Sequence, residues 1–164
     1  MKIKNLDTAF WRWFLSKEQW LVEKNILRQE ERLWPSSMMT FSIGLGVTYW
    51  FFPDYIVVPA VIILSLGDPA ARIIGVNLRS YRFPNGKTIA GFLGFVTVAL
   101  CGALAFNGLC KIWPMYPDHH SMGEIFGAQI AGVFGGAGVE FAFKRMDNML
   151  IGVASAIAMS LVLL

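Results

Sequence analysis

Four residues of this sequence stand out by type and setting: Asp68, Lys87, Glu140 and Asp147. Asp68 and Glu140 interrupt stretches that are otherwise apolar, at 55–71 and 125–143. An ionisable side chain in such a stretch is a functional candidate by default, because holding it in hydrocarbon is costly. Lys87 and Thr88 open another apolar stretch, and Asp147-Asn148 lie in the turn before the last one. Carboxylates beside basic groups suit the binding of a hard divalent cation with a polyphosphate. Mg²⁺ takes oxygen ligands and is commonly shared between carboxylates and substrate phosphates.

Each residue also has a plainer role open to it. Asp68 before Pro69 can cap a helix that restarts at the proline, and such an N-terminus also attracts phosphate. Glu140 can pair with Lys144, four residues on. Asp147-Asn148 and Asn85-Gly86 can be ordinary turns, and Lys87 can be a membrane-side anchor. What favours chemistry is convergence: the topology derived next brings all four to one membrane face.

The chain has 164 residues, 55% hydrophobic and only 15% charged, with a mean hydropathy of +0.53. Soluble domains carry about 25% charged residues. Disordered, collagen-like and disulfide-stapled classes are excluded, and a membrane protein is indicated. A spanning helix needs about 20 mostly apolar residues. Five segments qualify or nearly so: 35–52, 55–71, 88–110, 125–143 and 149–164. The expected fold is therefore all-α, a polytopic membrane bundle of about five helices over residues 35–164. Residues 1–34 carry seven basic and five acidic side chains among Trp11, Trp13, Trp20 and Trp34. Their mixed three- and four-residue apolar spacing suits an amphipathic helix at the cytoplasmic interface. A soluble helix packed on the end of the bundle is the alternative.

Orientation follows from the basic residues. With the N-terminus inside, thirteen of the fourteen lie on the cytoplasmic side and only Lys111 lies outside. The C-terminus then faces outward. In that topology Asp68, Lys87, Glu140 and Asp147 share the cytoplasmic face.

Weaker signals sit elsewhere. Gly91/Gly94 and Gly132/Gly135/Gly136/Gly138 suit close helix packing. His119-His120 beside Asp118 fall in the outer loop and read as solvated. Cys101 and Cys110, about 13 Å apart along one helix, cannot bridge to each other. No zinc spacing, nucleophile elbow or Walker A pattern occurs, and no nucleic-acid partner is expected. Small-residue helix faces are compatible with a homodimer.

The run Leu66-Gly67-Asp68-Pro69-Ala70-Ala71-Arg72-Ile73-Ile74-Gly75, then Asn85-Gly86-Lys87-Thr88-Ile89-Ala90-Gly91, then Glu140 with Asp147-Asn148, resembles the CTP-dependent lipid kinases. That family includes dolichol, phytol and yeast-type diacylglycerol kinases and is distantly similar to phosphatidate cytidylyltransferase. The resemblance covers roughly residues 28–164. It departs in two places: the family's Glu before Gly91 is Ala90 here, and the leading hydrophobic helices with their Arg-Lys and His are replaced by residues 1–34.

The resemblance implies an integral-membrane transferase of lipid metabolism using CTP, or another nucleoside triphosphate, with Mg²⁺ and a lipid alcohol such as diacylglycerol or a polyprenol. The catalytic set would be Asp68, Lys87, Glu140 and Asp147. Asp68 and Asp147 would hold the metal. Lys87, Thr88, Arg72, Arg145 and Asn148 would face the nucleotide. A cytidylyltransferase forming a CDP-lipid and a non-catalytic scaffold or accessory subunit are the rival expectations.

Overall fold

Helix starts and stops follow local backbone needs along this chain. In the computed structural model the described residues are 37–110, 116, 120–143 and 147–163. The expected interfacial segment at 1–34 lies outside them, as do Lys111, Asp118, His119, Lys144 and Arg145. Five helices result: α1 (Ser37–Phe51), α2 (Asp54–Asn77), α3 (Ile89–Cys110), α4 (Met122–Ala142) and α5 (Asp147–Leu163). Among the described residues there is no strand, only one isolated bridge between Arg82 and Thr88. Thr40–Leu164 form one compact unit.

α1 stops before Pro53, which disfavours helical geometry in the residue ahead of it. α2 begins at once with Asp54 in its first turn, where a carboxylate suits the positive end of the helix dipole. The restart at Pro69 does not occur. α2 runs through both Pro59 and Pro69. Each proline lacks an N–H, so the carbonyls of Tyr55 and Ser65 lose their usual partners. Asp68 is therefore a helix-interior carboxylate and not a cap, and no helix N-terminus opens there. α2 also continues past Arg72 to Asn77, six residues beyond the expected end at 71.

α3 is capped by Thr88, whose Oγ1 accepts from the Gly91 N–H at 3.1 Å. α4 starts on a capping box: Ser121 Oγ accepts from Glu124 N at 3.2 Å, and Glu124 Oε2 accepts from Ser121 N at 2.7 Å. Glu124 is thus part of a helix start, and α4 begins three residues ahead of the expected segment 125–143. α2, α3 over Ile89–Leu109 and α4 are long and apolar enough to cross a membrane. α5 has 17 residues and α1 has 15.

α2 packs chiefly along α3, and α4 along α5. Ile63, Phe95, Val133, Ile151 and Met159 are fully buried at the centre. Small residues set the spacing. A Cβ on Gly67 would sit 2.6 Å from the Phe95 ring, and one on Gly132 would sit 2.6 Å from Met159 Cγ. Gly138 meets nothing within 4 Å and takes no part in packing.

Away from the Lys87 end, a polar clasp joins α3 to α4. Asn107 Nδ2 donates to Gln129 Oε1 at 2.8 Å, and Gln129 Nε2 donates back to Asn107 Oδ1 at 2.7 Å. Gln129 Nε2 also donates to the Tyr116 hydroxyl at 2.9 Å. Gln129 is only 1% exposed, so losing its partner leaves an amide unsatisfied in an apolar site. Asn107→Ala and Gln129→Ala are each expected to cost about 1–2 kcal/mol. The double variant should cost clearly less than the two summed, read from denaturant midpoints in detergent. Additive losses would mean the amides do not bond each other.

Candidate functional site

The link between α2 and α3 folds as a small hairpin, and its turn delivers the lysine. Residues Phe83-Pro84-Asn85-Gly86 close a turn through Gly86 N–H to Phe83 O at 2.8 Å. Proline presets the first central position and Gly86 takes φ +87, which a side chain would resist. Phe83 N–H to Lys87 O at 2.9 Å and Ile89 N–H to Tyr81 O at 3.2 Å complete the ladder.

Asn85 ties this hairpin to α4. Its Oδ1 accepts from the Lys87 N–H at 3.1 Å, while its Nδ2 donates to the Phe141 carbonyl at 2.8 Å. Rings lock the same contact: Phe83 meets Phe141 edge-on at 4.7 Å, and Phe92 meets Phe141 at 5.8 Å. Phe141 follows Glu140 directly, so the clamp aligns Lys87 with that carboxylate. Lys87 Nζ donates to Glu140 Oε1 at 2.5 Å and to Asp147 Oδ2 at 3.3 Å. Glu140 is 6% exposed, and such a charge needs a partner.

Asp68 lies half-buried on α2 within coulombic range of Asp147, Lys87, Glu140 and Arg72. Among the described residues no hydrogen bond or ion pair reaches its carboxylate. Two carboxylates therefore contact one lysine, and a third, Asp68, lies within electrostatic range of it and of the exposed Arg72. Four separate elements contribute: α2, the hairpin, the end of α4 and the start of α5.

The structure thus gathers Asp68, from the interior of α2, into one electrostatic cluster with Lys87, Glu140 and Asp147, which lie at or beside helix ends. Thr88 is buried, its hydroxyl occupied in capping α3 and packed against Gly75 and Gly91. Asn148 opens α5, its N–H donating to Asp147 Oδ1 at 3.1 Å. Arg145 lies outside the described residues. His120 is elsewhere, its ring 5.8 Å from Tyr55. Among the described residues no three His, Cys, Asp or Glu side chains gather closely enough to hold a metal by themselves.

Sequence reading passed over Asn85 as an ordinary turn. The Asn-Gly pair did signal the turn, but nothing local signals a partner fifty-six residues away. Asn85→Asp keeps the oxygen that accepts from Lys87 N–H and loses the donor to Phe141. It is expected to lower stability by about 1 kcal/mol, measured by denaturant unfolding in detergent. Wild-type stability would show that the Phe141 bond does not hold the hairpin.

Compared with protein-family models, curated proteins and solved structures, the chain finds no match.

Proposed function

We propose that the chain is a membrane-embedded lipid kinase that moves the γ-phosphoryl group of a nucleoside triphosphate, CTP in the first instance, to a lipid alcohol. The observation that carries this reading is the partly buried Lys87–Glu140 ion pair, extended to Asp147, with Asp68 unpartnered among the described residues and within electrostatic range. A lysine and two or three carboxylates at the end of apolar helices suit a polyphosphate and its cation next to a lipid headgroup. Phosphoryl transfer asks a protein chiefly for positioning and charge neutralisation.

In this reading the bundle crosses the bilayer five times with its N-terminus cytoplasmic, so the site faces the side that holds nucleotide. Outward-facing Trp50, Phe51, Val76 and Leu161 support a bilayer environment, since soluble monomers rarely leave such large apolar surfaces open. Asp68 and Asp147 would hold Mg²⁺ through their carboxylate oxygens. Two carboxylates without a third ligand fit an ion that keeps water and substrate phosphate in its shell. When bound, Mg²⁺ neutralises charge on the β- and γ-phosphates. Lys87 contacts the phosphates, Glu140 orients Lys87, and Arg72 lies at the edge of the same field. The lipid hydroxyl oxygen attacks the γ-phosphorus, the bond to the β-phosphate oxygen breaks, and the hydroxyl proton passes to solvent. Thr88 serves by starting α3 and not by touching nucleotide.

A second reading, a non-catalytic membrane scaffold, is favoured by one observation: Lys87 is already neutralised by two carboxylates. The purified protein in lipid, given CTP, Mg²⁺ and a panel of lipid alcohols, separates the two. Release of CDP that depends on the lipid alcohol and disappears in Asp68→Asn supports the kinase. No release with any alcohol, while a control enzyme works, favours the scaffold.

A further inference from the structure

The hairpin also carries side chains that the phosphoryl-transfer site does not use. Arg79 and Arg82 lie exposed along it, and neither makes an ion pair or hydrogen bond among the described residues. Between them Tyr81 is 63% exposed while its ring leans edge-on against Phe83 at 4.9 Å. Leu78 and Val76, just before, are also exposed. The stretch leaves a 24-residue apolar helix and is held rigid by the Asn85 and Phe83 contacts with Phe141. Basic side chains interleaved with a tyrosine and aliphatic groups match the boundary between headgroups and acyl chains. Arginine forks bind phosphate oxygens in pairs, and the apolar neighbours lie against the first methylenes.

We propose that Arg79, Tyr81 and Arg82 form a docking surface for the headgroups of anionic phospholipids in the leaflet around this end of the bundle. The inference rests on the bilayer placement proposed above and not on the transfer chemistry. Charge complementarity selects the occupant: two arginines without partners among the described residues face a leaflet, where each is attracted to an anionic surface. Zwitterionic lipid offers the same phosphate without net charge and should be held less well.

The test uses the full chain in phosphatidylcholine vesicles with trace spin-labelled phosphatidylglycerol or phosphatidylcholine. The motionally restricted fraction gives their relative affinity for the protein. Wild type is expected to prefer the anionic probe, and Arg79→Gln/Arg82→Gln should lower that preference at least about fivefold at low salt. Raising the salt should weaken wild type toward the variant. An unchanged preference in the double variant overturns the docking surface. Extraction of wild-type protein from the vesicles by alkaline carbonate overturns the bilayer placement itself, so the two failures are distinct. Neither arginine takes part in the proposed transfer, so CDP release in mixed detergent micelles should persist in the variant. Its persistence beside a lost lipid preference supports a surface separate from the site.

Discussion

Lys87→Ala is expected to abolish transfer and to weaken the fold in the same step. Lys87 Nζ lies 2.5 Å from Glu140 and 3.3 Å from Asp147, and the Glu140 side chain is 8% exposed against 19% for Lys87. Removing the lysine leaves a carboxylate in a poorly solvated place with no counter-charge. Breaking such a pair by deleting one partner costs several kcal/mol, far more than the net worth of the pair. About 3 kcal/mol is expected here, the low end for a buried pair because Lys87 retains some solvent. Glu140→Gln in the Lys87→Ala background removes the orphaned charge and should restore most of that loss. It should not restore transfer, since the phosphates still lack their cation. Denaturant unfolding of the four proteins of this cycle, with CDP release beside it, measures both effects. Full stability in Lys87→Ala would mean that the ion pair does not close the site. Lys87→Arg should keep part of the stability and little activity, because a planar fork does not replace a point charge aimed at two carboxylates.

Gly44→Val should be the most damaging change outside the site. A Cβ on Gly44 would lie 2.6 Å from the Met149 carbonyl oxygen and 2.7 Å from its Cα. Both obstacles are backbone, so α1 itself must move away from α5. Thr48, one turn on and buried, packs on the same side and would move with it: its hydroxyl donates to Gly44 O at 2.7 Å and lies 3.5 Å from where a Cβ on Gly152 would stand. Overpacking typically costs about 1–3 kcal/mol, and a branched side chain against backbone belongs at or above the top of that range. Gly46 is the matched control. Nothing lies within 4 Å of its added Cβ, so Gly46→Ala should be neutral or stabilise by up to about 1 kcal/mol through helix propensity. Thermal unfolding in detergent that ranks the two glycines equally would contradict the α1–α5 contact.

Hydropathy was enough to find the helices, because an apolar run satisfies its backbone only by coiling. The expected 88–110 became Ile89–Cys110, and the expected 35–52 became Ser37–Phe51. Boundaries drawn from charge were less faithful. Arg72 closed the expected second span, yet α2 continues to Asn77, since a basic side chain on an exposed turn does not stop backbone hydrogen bonding. Pro69 misled in the same way: inside a packed helix a missing N–H is a local cost and not a break. The convergence of Asp68, Lys87, Glu140 and Asp147 was legible because topology alone sends those helix ends the same way. What holds them there was not. Asn85 and the Asn107–Gln129 clasp depend on partners fifty-six and twenty-two residues away, and no local pattern marks such a partner. The sequence offered Glu140 a partner in Lys144, four residues on, and the structure instead pairs it with Lys87.

The central claim is that this cluster moves the γ-phosphoryl group of a nucleotide onto a lipid. The most direct measurement supplies the purified protein in lipid with CTP labelled on the γ-phosphate, or separately on the α-phosphate, together with Mg²⁺ and a lipid alcohol. The label is then followed into the organic phase. γ-Label should enter the lipid, α-label should remain in water as CDP, and Lys87→Ala should transfer neither. With lipid phosphate added, α-label in the lipid and release of pyrophosphate from CTP would contradict phosphoryl transfer in favour of cytidylyl transfer. Both labels remaining in water would contradict catalysis by this cluster altogether.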